Sequence, residues 1–150
     1  MAKITAVSPF APAAFPALPV VKGLRLAAAA AGVRYKGRDD VMLAHLPAGT
    51  AMAGVFTTSR TRSAPVLWCE ERIAAGVSGP LAVCVNAGNS NAFTGRNGRE
   101  AVERTARAVA AATGVAESGV FVASTGVIGE PLPVDRIEAV LGDLAARLSP

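Results

Sequence analysis

The stretch Val120-Phe-Val-Ala-Ser-Thr-Gly-Val-Ile-Gly-Glu130 carries an apolar segment straight into hydroxyls and glycines, with no spacer between them. Val120 to Ala123 is short, β-prone and apolar on both faces, which predicts a strand buried in a sheet. Ser124, Thr125 and Gly126 follow directly. A glycine lets a backbone N–H come close to a ligand, and a neighbouring threonine hydroxyl supplies a second donor aimed at the same point. Two converging donors can stabilise a developing oxyanion, so Thr125 and Gly126 are the candidate catalytic pair. The same residues also suit an ordinary strand-ending turn, and the stretch alone leaves that alternative open.

A second polar stretch, Asn86-Ala-Gly-Asn-Ser-Asn-Ala-Phe-Thr-Gly95, follows the predicted buried strand Leu81–Val85 and holds three asparagines and two glycines in ten residues. Such residues tolerate unusual backbone angles and present amide dipoles to a polar ligand. They equally make a tight connection, and both readings stand. Other site chemistries find no support. Ser124 lacks a surrounding G-x-S-x-G, and His45 is the one histidine, set inside a strand pattern where a packed structural role is expected. No lysine follows Gly126-Val-Ile-Gly129 as a P-loop needs. Cys69 and Cys84 form no C-x-x-C, so neither a metal site, a cofactor nor a disulfide framework is expected.

The elements that must position these residues fit one domain. The chain has 150 residues and 51% hydrophobic content, enough for a substantial core. Its net charge of +4 comes from scattered basic residues, and aromatics are only 5%, so no stacking platform for nucleic acid is visible. No apolar run reaches the roughly 18 residues that span a bilayer. Pro9, Pro12, Pro16 and Pro19 break up any secretory leader, so a cytoplasmic protein without a membrane or nucleic-acid partner is expected.

Residues 1–22 read as an extended, proline-rich arm and residues 23–150 as one α/β domain. Leu24–Gly32 is Ala-rich, which locally favours a helix, yet its short span and the following turn signals favour a strand. Val41–Leu46 is a strand closed by Pro47-Ala-Gly49, and Ala51–Thr58 is expected to be a third. Ser63 with Pro65 predicts a helix through Trp68 and Ile73 that stops at Gly76. Asn97 and Glu100 suggest a capping box for a helix over Arg99–Thr113, its exposed face laced by Glu100–Arg104 and Glu103–Arg107 pairs. After Pro131 and Pro133, the residues Ile137, Val140, Leu141, Leu144 and Leu148 share one face of a last helix. Strands first and helices interleaved afterwards indicate a layered α/β sandwich of sheet and helices.

Three segments in order resemble the N-terminal half of the ornithine acetyltransferase family, also called the bifunctional glutamate N-acetyltransferase family. They are Gly54-Val-Phe-Thr-Thr-Ser-Arg60 with Ala64-Pro-Val66, then Val85-Asn-Ala-Gly-Asn-Ser-Asn-Ala92, then Ser124-Thr-Gly-Val-Ile-Gly-Glu-Pro-Leu-Pro133. The resemblance implies a glutamate N-acetyltransferase of arginine biosynthesis. In it an acetyl group passes from N-acetylornithine to glutamate through an acetyl-threonine, with Thr125 and Gly126 as the oxyanion-hole pair; the resemblance leaves open whether acetyl-CoA also serves as an acetyl donor. It also implies a precursor that cuts itself before the nucleophilic threonine. This chain would then be the α fragment, its fold and site incomplete and inactive without the β fragment, in a heterotetramer of two α and two β chains. The segment before the cleavage point and the nucleophile are not among these 150 residues. The competing reading is a non-catalytic α/β interaction module that binds a partner subunit or, weakly, nucleic acid.

Overall fold

The computed structural model describes residues 6–14 and 16–150. Along the chain come β1 (Arg25–Ala29), β2 (Val41–Leu46), α1 (Ala64–Ala75), β3 (Leu81–Asn89), α2 (Gly95–Thr113), a 3₁₀ turn (Glu117–Gly119), β4 (Val120–Val127) and α3 (Val134–Ala146). The strands form one sheet in the order β1-β2-β3-β4. The first three are antiparallel neighbours, whereas β3 and β4 run parallel. A parallel pair requires a crossover, and α2 provides it.

Alternation along the strands decides which side becomes the core. Val41 and Leu43 of β2, Ala82 and Cys84 of β3, and Val120 and Val122 of β4 are buried in one cluster with Ala106 and Val109 of α2 and Ile137, Leu141 and Leu144 of α3. Each fully buried Leu or Ile here contributes roughly 1.5–3 kcal/mol relative to exposure. The layered α/β architecture is thus as expected, with α2 and α3 stacked on one sheet face. On the opposite face Met42, Val83 and Val85 are only half-buried, and Ala28 and Ala123 are exposed.

Helix α1 lies instead along the outer edge of β4. Trp68 donates its indole N–H to the Val120 carbonyl at 2.8 Å, and the Cys69 thiol donates to the Val122 carbonyl at 3.2 Å. These side chains satisfy acceptors that an edge strand would otherwise leave to solvent or to another strand. The far edge is engaged too, because Leu26 of β1 exchanges backbone hydrogen bonds with Ser149.

One expectation fails. Residues 51–58 form no strand, and Val55 is 99% exposed. β-propensity needs a ladder partner, and this stretch pairs with no strand of the sheet. Two other expectations shift. Helix α2 begins at Gly95 behind Thr94, ahead of the Asn97–Glu100 box, and the Thr94 hydroxyl donates to Asn91 Oδ1 at 2.7 Å without capping the helix. Ser63 does precede α1, but its hydroxyl makes no cap bond. The expected pairs along α2 give way to one other pair on the same helix and to pairs with α3. Glu103 pairs with Arg99, and Arg104 reaches Asp135 and Glu138 of α3. Half-buried Arg104 and Glu138 hold each other better than two exposed side chains on one helix would. The proline-rich arm carries no helix or strand over its described residues, and it stays exposed, Phe10 at 95%; residues 1–5 and 15 of the arm lie outside the described residues.

The β1–β2 connection is organised by the buried carboxylate of Asp40. Its Oδ1 accepts the N–H groups of Ala31 (2.7 Å) and Gly32 (3.2 Å), and its Oδ2 accepts that of Val33 at 2.6 Å. Its carbonyl accepts the N–H of Ala87 at 2.8 Å, which couples this loop to β3. Asp40→Asn keeps the shape but turns an NH₂ toward a backbone donor, leaving buried groups unsatisfied. A loss of about 1–3 kcal/mol is expected, read as a lower melting temperature; an unchanged melt would refute this role. The cysteines give a second check. Burial pushes the Cys84 thiol up to about 12. Cys69 is raised as well, chiefly by burial, against the opposing pull of its bond to Val122 and of Arg72. A thiol raised on folding favours the folded state below its ordinary value of 9.0, and that contribution is lost as pH climbs from there through about 12. Stability should therefore decline on the alkaline side, and iodoacetamide at pH near 8 should label Cys84 only after unfolding. Rapid labelling of the native protein at Cys84 would contradict the burial.

Candidate active site

Both polar stretches turn out to be strand ends. β4 continues past Ala123 through Ser124, Thr125 and Gly126 to Val127, and β3 continues through Asn86 to Asn89. The alternative of a strand-ending turn directly after Ala123 is therefore not realised, because the two tips pair with each other. Asn86 lies opposite Ser124, Ala87 opposite Thr125 and Gly88 opposite Gly126, after which the register slips at Gly88–Asn89. This bulge on β3 leaves the backbones in close contact. A Cβ built on Gly126 would lie 2.3 Å from the carbonyl carbon of Gly88 and 2.5 Å from the Asn89 nitrogen. Gly88 is pressed from its other side, where a Cβ would meet Cβ of Arg34 at 2.7 Å. Both glycines also hold positive φ, 103° at Gly88 and 135° at Gly126. Side chains are excluded here by space and by torsion together.

Thr125 and Gly126 are exposed, whereas Val120 to Val122 behind them are buried. Strand alternation sets the two donors apart in direction. The Thr125 side chain shares the side of Phe121 and Ala123, which is the half-covered sheet face. Along the edge, the outward backbone groups of Val120 and Val122 are taken by Trp68 and Cys69.

The asparagine stretch holds this tip in place. Ser124 donates its hydroxyl to Asn86 Oδ1 at 2.6 Å, and Asn86 Nδ2 donates to the Asn89 carbonyl at 2.9 Å. Asn89 Nδ2 donates to the carbonyls of Glu130 (3.0 Å) and Pro131 (3.2 Å), while its Oδ1 accepts the N–H of Asn91. Ser90 gives both its N–H and its hydroxyl to the Val127 carbonyl, and Gly129 N–H reaches the Ala92 carbonyl. Arg34 closes the far side with an ion pair to Glu130 at 2.7 Å. Asn86, Asn89 and Asn91 are buried, at 4%, 4% and 0% exposure, and each uses its amide on named partners. Of the two readings of this stretch, the structure supports the tight connection for these three side chains. Asn91 and Phe93 bear positive φ, 47° and 58°, so the chain turns sharply between β3 and α2.

Two hollows open beside the tip. One of about 240 Å³ is lined by Phe56, Ser63, Cys69, Ala123 and Ser124, and one of about 310 Å³ by Arg62, Asn91, Phe93, Arg96 and Arg99. The first reaches Ser124, and the second lies by the turn after β3; neither is lined by Thr125 or Gly126. His45 is not brought there. It sits on β2 opposite Ala82 of β3, five residues before the Ala87 that faces Thr125, or roughly 16 Å along the strand. Burial first, and then Arg25 beside it, hold its imidazole below the ordinary value. Among the described residues no group of three or more His, Cys, Asp or Glu side chains could hold a metal ion. No described helix is long and apolar enough to cross a membrane. Trp68, Cys69 and the Arg34–Glu130 pair were not marked by the sequence, because each acts on residues 50 or more positions away.

Residues 25–149 match the ArgJ family. The chain is 63% identical over 150 residues to the arginine biosynthesis bifunctional protein ArgJ of Ruegeria pomeroyi, covering all of this chain and 37% of that protein. It is 53% identical over 148 residues to the protein of the same description from Nitrobacter winogradskyi, covering 97% of this chain and 36% of that one. Its structure resembles that of ornithine acetyltransferase from Mycobacterium tuberculosis, solved with ornithine, at TM-score 0.78 and 37% identity over 85% of this chain and 68% of the other. The ArgJ structure from Bacillus halodurans superposes with TM-score 0.71 at 35% identity, covering 81% of this chain and 62% of that one. The chain spans about 37% of the length of the first of these curated relatives, matched across that whole span, and it belongs to the ArgJ family.

Proposed function

We propose that this chain supplies the oxyanion-binding half of an acetyltransferase that moves an acetyl group from N-acetylornithine to glutamate through an acetyl-threonine. The observation that carries the reading is one piece of geometry: Thr125 and Gly126 are adjacent, exposed residues at the tip of the edge strand, where the close approach of Gly88 fixes the backbone. Relatives described as arginine biosynthesis bifunctional proteins, and a structural neighbour described as an ornithine acetyltransferase complexed with ornithine, support the substrates.

In this reading a threonine from the remainder of the precursor attacks the acetyl carbonyl, and the carbonyl π electrons move onto oxygen. Thr125 O–H and Gly126 N–H donate to that oxygen, and their bonds shorten as its charge grows. Collapse breaks the C–N bond, the proton given up by the threonine hydroxyl goes to the departing ornithine amine, and the acetyl ester is left; attack by the glutamate amine repeats the sequence in reverse and returns a proton to the threonine oxygen. The description of the relatives as bifunctional supports acetyl-CoA as a second acetyl donor. The half-covered sheet face, on the same side as the Thr125 side chain, supports a β fragment that packs there and completes the site in an α₂β₂ cytoplasmic enzyme.

Residues 1–150 purified alone should transfer no acetyl group from N-acetylornithine to glutamate, and activity should return on co-expression with the β fragment. Appreciable turnover by residues 1–150 alone would refute the half-site reading. In the assembled enzyme, Thr125→Ala removes one donor and leaves Gly126 N–H in place. The expected loss is about 10²–10³ in kcat, or roughly 2.7–4 kcal/mol, with KM changed much less. Thr125→Ser should recover much of the rate. If the residue merely shapes the strand end, both variants would move the melting temperature by the equivalent of about 1 kcal/mol and leave kcat nearly intact.

A further inference from the structure

We propose that Asn86 and Ser124 act as positioning residues that aim Thr125 and Gly126 at the acyl oxygen; this rests on the oxyanion reading above. Ser124 immediately precedes Thr125, and its hydroxyl is committed to Asn86 Oδ1 at 2.6 Å. The same Asn86 amide donates to the carbonyl of Asn89, the bulge residue that faces both Thr125 and Val127. One buried side chain therefore ties the residue before the donor pair to the backbone lying across from it. Downstream, Ser90 holds the Val127 carbonyl through two bonds. Thr125 and Gly126 sit between these two clamps and are exposed.

The chemistry explains why such clamps matter. A donor stabilises an oxyanion in proportion to how little it must reorganise, so its orientation must be fixed before the charge develops. The left-handed torsions at Gly88 and Gly126 leave the local backbone without the usual strand restraint, and a glycine has no side chain to anchor itself. The orientation must be imposed by neighbours, and the Asn86–Ser124 bond is the nearest restraint on the Thr125 side. The two residues are paired across the strands and project to the helix face, opposite the side chain of Thr125. They touch no reacting atom in this arrangement and act through the backbone.

The test is a mutant cycle in the co-expressed assembly of both fragments. Ser124→Ala should lower kcat roughly tenfold to a hundredfold, with KM nearly constant, as expected when a donor is displaced by less than an ångström or so. Ser124→Thr, which keeps the hydroxyl, should restore most of the rate. In a Thr125→Ala background the same Ser124→Ala change should cost less, because one of the two donors it aims is already gone and only the Gly126 N–H is left to position. Asn86→Ala should follow the Ser124→Ala pattern. If Asn86→Ala does not fold, the Ser124 cycle alone decides. Equal costs in both backgrounds, or a fall in melting temperature with kcat intact, would overturn the positioning role. A Thr125→Ala variant with normal kcat would instead overturn the oxyanion reading, so the two failures are distinguishable.

Discussion

The contact between the Gly88 and Gly126 backbones is the constraint on which the rest of the structure depends. Two parallel strands meet here at a bulge so closely that a single added methyl on Gly126 would fall 2.3 Å from a carbonyl carbon. Parallel strands keep this intimacy only where neither carries a side chain toward the other. Everything around the contact can be understood as holding it shut. Arg34 rests on Gly88 from the outside and bonds Glu130 beyond the tip of β4. The loop carrying Arg34 is pinned by the three N–H bonds to Asp40, whose own carbonyl binds Ala87 one residue before the contact. A carboxylate more than forty residues upstream thus helps to set the geometry at the strand tips.

The sheet is built unevenly, and the unevenness coincides with the site. One face is filled by α2 and α3, and the edge is closed by α1 as far as Val122. Cover stops there on both counts. Past Val122 the edge is uncapped, and on the free face the side chains grade from buried Phe121 to exposed Ala123 and Thr125. An exposed edge and an apolar half-covered face are normally liabilities in a soluble protein. Placing both beside a hydroxyl and an N–H is costly for an isolated domain but suits a surface that a second layer completes.

Much of this was legible in the sequence, and the parts that were not share a cause. The amphipathic stripe of α3, the helix from Pro65 to Gly76 and the buried strands at Val41, Leu81 and Val120 all follow from local periodicity and punctuation. Thr125 and Gly126 stand out as candidates because glycine beside threonine after a buried strand is itself a local signal. What local pattern could not supply was partnership. Residues 51–58 have strand-like composition but pair with no strand of the sheet, so they remain irregular. The strands β3 and β4 run several residues past their apolar cores, because polar side chains at Asn86 and Ser124 pair across the sheet. No rule of propensity anticipates a strand that continues through Asn-Ala-Gly-Asn. Likewise Arg104 prefers carboxylates on α3 over the expected Glu100 on its own helix.

The buried asparagines then raise a question of energy: an apolar filling would have been simpler to desolvate. A neutral amide hydrogen bond contributes only about 0.5–1.5 kcal/mol net, while an unsatisfied buried amide costs about 1–3. A network of this kind therefore adds modestly to stability when complete and penalises heavily any arrangement that leaves it incomplete. Leucine or valine at Asn86, Asn89 and Asn91 would tolerate several nearby packings with similar energy. The amides tolerate only those in which Ser124, Glu130, Pro131 and Gly98 are all within reach. Selecting one geometry out of many close ones is what a pair of oxyanion donors requires, since their worth depends on direction more than on presence. The polar composition of this loop is accordingly better explained by the narrowness of the geometry it enforces than by any gain in stability.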